Sequence, residues 1–196
     1  MVTFFPHKNC SSGVLPQFAF LHSFHSLKTP KNDWFRPIQT CREYYDHNIV
    51  FFRPSNPKYL VGDWFAGTMD WYDRKEEGLV EGQPVSFHYW AVDSGRFIGE
   101  FQLRTEFPPK VMLDIGSVGY AVRVSEWNKG YGTQILRRGL EIAREHGMEK
   151  VLLNINEKNS ASIHVCEKLG GKLWDTIERY NETEGRHLAR RYWIML

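Results

Sequence analysis

The pattern of apolar and polar positions changes character near Val85. Beyond it the text is orderly. Ser86–Val92 alternates aromatic with smaller residues, Asp93-Ser94-Gly95 supplies a turn, and Phe97–Thr105 reads as the second strand of a hairpin. Gly116–Val124, rich in β-branched and aromatic residues, predicts a third strand. Pro108-Pro109 marks a loop before it, since proline cannot donate into a sheet ladder. From about Gly130 to His146 the period lengthens to that of a helix. Leu136, Leu140 and Ala143 share one face, Ile135, Gly139 and Ile142 widen the stripe, and Gly147 stands where a left-handed cap is wanted. Val151–Asn156 then predicts a short strand, and Asn159–Leu169 a short helix stopped by Gly170-Gly171. Leu173–Tyr180 and His187–Met195 bracket a closing hairpin. Hairpin, strand, helix, strand, helix, hairpin is an α/β (α+β) order.

The first eighty-odd residues are irregular, aromatic and interrupted by Pro6, Pro16, Pro30, Pro37, Pro54 and Pro57. Gln39–Asn48 and Pro57–Arg74 are the two helical stretches expected there. The second sets Leu60, Trp64 and Trp71 near one face, against the helix-weakening Gly62 and Gly67. Glu76–Gly82 reads as an exposed connection. A length of 196 residues with 42% apolar composition suits one domain with a sizeable core, and excludes disordered and fibrous classes. The expectation is one domain over 1–196, a variable part to 84 and an ordered core over 85–196. No apolar run approaches the roughly 20 residues of a membrane span, and Met1–Cys10 lacks the make-up of a cleaved signal. Twenty-five basic against 23 acidic residues leave +2, too weak a field to argue for nucleic acid or membrane partners. Cys10, Cys41 and Cys166 are few and far apart, which favours a reducing, cytoplasmic setting. His22-x-x-His25 has no spaced cysteine partners, so no metal site is expected.

The chemistry concentrates in Trp127-Asn128-Lys129-Gly130-Tyr131-Gly132-Thr133, between a strand and a long helix. Glycines flanking a single residue keep Cβ atoms away from an approaching ligand. The loop amides and the unpaired amides of the helix's first turn point one way, toward an anion such as a phosphate. Lys129 adds charge and Thr133 a hydroxyl. The string is neither a Walker loop nor a dinucleotide fingerprint, which needs a third small residue where Ile135 stands. Gly116-Ser117-Val118-Gly119 is not a nucleophile elbow, because its serine is not centred between the glycines. Arg186, Arg190 and Arg191 form a basic cluster that reads as a solvated hairpin rather than an RNA patch.

The order of these elements, with Asn159-Ser160-Ala161-Ser162 after the following strand, resembles the Gcn5-related N-acetyltransferase superfamily. The loop matches that family's Gln/Arg-x-x-Gly-x-Gly/Ala motif, with Trp127 at the Gln/Arg position. Tyr89-Trp90, Ile98-Gly99, Leu103-Arg104, Gly119-Tyr120, Glu167-Lys168 with Gly170-Gly171, and Arg191-Tyr192-Trp193-Ile194 extend the likeness toward a bacterial subfamily of unassigned substrate. It covers about Val85 to Leu196. It implies a mostly antiparallel central sheet flanked by helices, with a splayed strand pair that binds acetyl-CoA.

Residue by residue, the resemblance implies acetyl-CoA contacts from the backbone of Val122, Arg123 and Val124 and from Asn128, Lys129, Gly130, Tyr131, Gly132 and Thr133. A backbone N–H of the strand would act as the oxyanion donor. Asn154, Asn156 and Asn159 are candidates to hold the pantetheine amides, with Ser162 beside them. Asn159 is the best positional match, and equally a helix cap. Cys166 stands where many relatives carry a tyrosine that protonates the departing thiolate. It is either that acid or a small buried hydrophobe. Glu100 is the first candidate for general base, through a water. Arg104 either binds a substrate carboxylate or pairs with Glu100 or Glu106. Trp90 and Tyr120 line an acceptor pocket or belong to the core. The expectation is an acetyl-CoA-dependent N-acetyltransferase, monomeric or homodimeric, that acetylates a small-molecule amine by direct attack. Its rival is a non-catalytic acyl-CoA-binding sensor, which the Trp127 and Cys166 departures keep open.

Overall fold

The computed structural model describes residues 18–22, 72–93, 96–106, 108–181 and 185–196. The expected helix at Gln39–Asn48 lies outside them. So does Pro57–Arg74 except for its last three residues, which are helical and continue through residue 76. Strands β1 (Phe18–His22), β2 (Val85–Asp93), β3 (Arg96–Thr105) and β4 (Val118–Val122) form one antiparallel sheet in that order. A second, three-stranded sheet runs β5 (Lys150–Asn156), β7 (Gly185–Met195), β6 (Lys172–Asn181). Helix α1 (Pro109–Ile115) precedes β4, α2 (Tyr131–Glu145) joins β4 to β5, and α3 (Ser160–Lys168) joins β5 to β6. Among the described residues no helix is long and apolar enough to cross a membrane.

Two expectations need correction. The loop expected at Pro108-Pro109 opens α1 instead. Pro109 sits in the first helical turn, where the missing N–H needs no partner and the fixed φ suits the helix. The third strand is also shorter than Gly116–Val124. Gly116 and Ser117 leave it to meet β5, and Val124–Glu126 closes into a 3-10 turn.

The helical stripe falls where its periodicity puts it. Ile135, Leu136, Leu140, Ile142 and Ala143 are buried against Ile98, Phe101 and Leu103 of β3 and Tyr192 and Ile194 of β7. A fully buried Leu or Ile contributes roughly 1.5–3 kcal/mol over an exposed one, so this face fixes α2 to both sheets. The opposite face of the first sheet is polar. Ser86, His88 and Trp90 of β2 stand across from Arg104, Gln102 and Glu100 of β3.

Candidate active site: the gap between two sheets

The two sheets touch where β4 and β5 begin. The Ser117 N–H donates to the Leu152 carbonyl at 2.9 Å, and the Ser117 hydroxyl accepts from the Leu152 N–H at 2.7 Å. Gly116 enters this junction at φ +76, with the Leu152 carbonyl 2.8 Å from where a Cβ would sit. Both the left-handed backbone and the close approach require glycine there. Past this fastener the strands share no ladder, and a gap opens between them. A cavity of about 1210 Å³ fills it, lined at its mouth by Trp127, Asn128, Gly130–Thr133 and the start of α3.

Backbone bookkeeping shows what faces the gap. Val122 pairs with Gly99, and the Arg123 N–H donates to the Ile98 carbonyl at 2.8 Å. In an antiparallel ladder that bond makes Gly99 and Val122 a non-hydrogen-bonded pair, so the backbone groups of Val122 point away from β3. They point into the gap. The Val122 carbonyl accepts the Trp127 indole N–H at 2.8 Å, leaving the N–H turned toward the cavity. The rest of the expected trio is partly engaged, the Arg123 N–H being the one spent on Ile98. The Arg123 carbonyl accepts from the Glu126 N–H and that of Val124 from the Trp127 N–H, while the Val122 N–H is a backbone donor turned to the gap.

At the mouth, Gly130 is the N-cap of α2 at φ +82, a conformation that frees the first-turn amides. A Cβ on Gly132 would be 3.6 Å from the Tyr120 ring and 3.7 Å from Val122, so any longer side chain would project into the cavity. The expected side chains do less than their backbone. Lys129 Nζ is bonded to the Ser125 carbonyl and to Glu126 Oε2, both at 3.0 Å, so its charge is largely matched within the loop. The Tyr131 hydroxyl donates to Asp93 Oδ2 at 2.6 Å, clamping the start of α2 to the β2–β3 hairpin. Asn128, at φ +61, and Thr133 line the cavity. Asn159 caps α3, its Oδ1 accepting the Ser162 N–H at 3.0 Å. The Asn154 amide nitrogen donates to the carbonyls of Leu113 at 3.2 Å and Asp114 at 2.7 Å. Its Oδ1 is buried without a partner among the described residues, an acceptor held ready at the cavity wall.

The closed end is built from side chains. Glu100 is 1% exposed, neither carboxyl oxygen has a hydrogen-bond partner among the described residues, and its ladder neighbours are Trp90 and Ala121. Burial pushes its pKa up to about 8, against the opposing pull of Arg104. Arg104 is bonded to Gln102 Oε1 and, at 3.3 Å, to the Gly116 carbonyl. The Gln102 amide therefore donates to His88 Nε2 at 3.1 Å, which leaves the imidazole proton on Nδ1. Burial first, then Lys75 and Arg104, holds His88 well below its usual pKa, and the Tyr72 ring stacks on it at 3.8 Å. Lys75 is brought down to about 8 by burial and then Arg104. Trp90, 4% exposed, shields Glu100 rather than reaching the open groove. Tyr120 does line the cavity. Its hydroxyl lies near Ser162 without completing a hydrogen bond among the described residues.

Cys166 is fully buried in the core, and a Cβ on Gly171 would lie 2.5 Å from its sulfur. Burial, then Glu167, pushes the thiol up to about 12. A group that holds its proton so firmly is a poor acid. Two features escaped the sequence reading: the Ser117 fastener, and the grip of Arg179 and Arg191 on the carbonyls of Asp114 and Leu113 at the end of α1. Arg191 is also bonded through two nitrogens to Asp175, so it is a structural residue and not a solvated one.

A family model described as an acetyltransferase (GNAT) domain matches residues 41–172. The chain belongs to the GNAT acetyltransferase family. Solved structures agree on the fold. A Salmonella typhimurium protein crystallised with its cofactor acetyl-CoA is 16% identical over 92% of this chain and 95% of that one, with a TM-score of 0.59. Spermidine N-acetyltransferase from Vibrio cholerae is 14% identical over 91% and 94%, with a TM-score of 0.59. A ribosomal L7/L12 alpha-N-protein acetyltransferase solved with coenzyme A is 13% identical over 81% and 86%, with a TM-score of 0.61. The acyl donor of this GNAT domain is acetyl-CoA, and the gap fits it. The first-turn amides of α2 suit a pyrophosphate, and the Val122 N–H and Asn154 Oδ1 offer one donor and one acceptor to a pantetheine arm.

Proposed function

We propose that this acyltransferase is an N-acetyltransferase that passes the acetyl group directly to a primary amine of a small molecule, with both reactants bound together. The observation that carries the reading is the single cavity running from the α2 amides to Arg104. At about 1210 Å³ it exceeds the usual 300–1000 Å³ of a small-molecule pocket, which leaves room for a second reactant beside the donor. Holding both in place supplies much of the rate through approximation.

Acetyl-CoA supplies a thioester whose carbon–sulfur bond is exchanged for a carbon–nitrogen bond. Gly130, Tyr131, Gly132 and Thr133 bind its pyrophosphate by their backbone amides, with Asn128 and Lys129 at the loop's rim. Asn154 accepts from the pantetheine arm, while Asn159 and Ser162 shape the α3 side. Val122 N–H stabilises the negative charge that develops on the acyl oxygen. Glu100 receives the amine's proton. At 1% exposure it does so through one water. The leaving sulfur takes its proton from solvent, since Cys166 packs the core. Tyr120 forms one wall beside the acyl group, and Trp90 stands beside Glu100 on the neighbouring strand. The near-neutral charge favours a small acceptor in the cytoplasm, met by a monomer or homodimer.

The test is thiol release from acetyl-CoA against a panel of primary amines. Sustained release with at least one amine, and formation of its N-acetyl product, is the expected result. Tight calorimetric binding of acetyl-CoA with no release for any amine would support the acyl-CoA sensor instead.

A further inference from the structure

The charge that lines the closed end of the gap is one-sided. Arg104 and Arg179 both line the cavity, and both reach the C-terminal end of α1, Arg104 at the Gly116 carbonyl just past it and Arg179 at that of Asp114 in its last turn. One residue separates those carbonyls, so the two guanidinium groups share a corner. His187 lies directly across the β6–β7 ladder from Arg179 and lines the same cavity. Behind Arg104 stand Lys75 and His88, each feeling its positive charge. Compensating acids are scarce. Among the described residues lining the cavity, Glu126 is the one carboxylate, and it is bonded to Lys129 at 3.0 Å beside the mouth. Glu100 does not line the cavity; it stands behind Arg104 and offsets part of its charge. A guanidinium has five donors, and the bonds to α1 and Gln102 use only part of them.

We infer that the acceptor is an amine that also carries an oxyanion, which Arg104 and Arg179 hold at the closed end while its nitrogen faces Val122. This rests on the N-acetyltransferase reading and narrows it. Arginine forks match the planar geometry of carboxylate and the oxygens of phosphate, and the corner offers two of them. A polyamine brings the wrong sign. This chain thus shares a fold with spermidine N-acetyltransferase while its acceptor end has the opposite charge preference.

The experiment uses matched amines with and without the anion: glycine and methylamine, phenylalanine and phenethylamine, phosphoethanolamine and ethanolamine, with spermidine alongside. The acid-bearing member of at least one pair should have the higher kcat/KM, by about tenfold or more, and the carboxylate and phosphate pairs tell the two oxyanions apart. Arg179→Gln should cut that ratio about tenfold with acetyl-CoA affinity unchanged, and Arg179→Lys should retain part of it. Melting curves confirm that each variant is folded. Preference for spermidine or for the anion-free member of every pair overturns the inference and leaves N-acetyl transfer standing. So does an Arg179→Gln variant with an unaltered ratio. If no amine releases thiol, the wider reading fails, and binding decides this one. Acid-bearing members must then raise the melting temperature of the CoA-loaded protein and lose that effect in Arg179→Gln. An absent shift overturns it.

Discussion

The mouth and the closed end of the gap solve recognition by different means. On the proposed reading the work at the mouth falls to the main chain: the amides of α2 and the Val122 N–H. Neighbouring side chains are occupied with holding that backbone still, as Lys129 does with Glu126, Tyr131 with Asp93 and Trp127 with Val122. At the closed end the groups are side chains from separate elements. Lys75, His88, Glu100, Arg104 and Arg179 come from the helical residues 72–76, β2, β3 and β6. Burial has moved the proton affinity of Lys75, His88, Glu100 and Arg104. The donor is common to the family and is read by atoms every residue possesses. The acceptor distinguishes one protein from another and is read by atoms that substitution can change.

That division predicts opposite kinetic signatures at the two ends. The largest effect belongs to Glu100. Glu100→Gln should lower kcat by about 10²–10⁴-fold with acetyl-CoA affinity unchanged. In the wild type kcat should climb with pH toward a plateau above about 8, as the carboxyl ionises, and the variant should lose that limb. Stability carries the reverse sign. Below about pH 4.5 the carboxyl is protonated in both folded and unfolded chains. From there to about 8 only the unfolded chain ionises, so the fold weakens by about 1.4 kcal/mol per pH unit. Urea unfolding should show Glu100→Gln gaining on the wild type as pH rises through that window. A variant that keeps full turnover would remove Glu100 from the chemistry.

Gly132→Val should do the converse. Its methyls enter the space of the donor, and calorimetry should show acetyl-CoA affinity falling by at least about tenfold, or about 1.4 kcal/mol, in a folded protein. Unchanged affinity would move the pyrophosphate elsewhere.

Cys166 tests whether the α3 side belongs to either end. Cys166→Tyr overpacks a buried site and should destabilise by about 1–3 kcal/mol. Cys166→Ala should alter kcat by less than about threefold, well under the range of a lost general acid. A large kcat loss in a stable Cys166→Ala protein would make the thiol the acid. The smallest change is Asn159→Ala, which should cost about 1 kcal/mol through the lost cap of α3. A drop in acetyl-CoA affinity beyond that would give Asn159 a second role at the mouth.

The same division explains what could be read from the amino acids alone. Local rules placed β2, β3, α2, β5, α3 and the closing hairpin, because each rests on periodicity or a cap within a few residues of itself. The mouth was equally readable, since Gly130 and Gly132 announce an exposed backbone. Helix α1 was hidden because Pro108-Pro109 signals a break and a helix start in the same letters. Ser117 was hidden because its partner, Leu152, lies 35 positions away. The contact of Arg179 with Asp114 spans 65 positions, and no pattern along the chain marks which arginine will turn inward. Glu100 was found as a candidate from its strand position, but its isolation from every described partner exists only once the sheet is folded.

The fastener at Ser117 has a further consequence. Beyond it β4 and β5 part, leaving two strand edges with backbone groups that no neighbouring strand satisfies among the described residues. Sheet edges invite pairing with any extended chain, which is the route to aggregation and strand swapping. Here α2 and α3 start on either side of the opening, and the ligand that bonds to Val122 takes the place an intruding strand would want. On the proposed reading the acyl donor doubles as a guard, and the empty protein should be the form more prone to stick to itself.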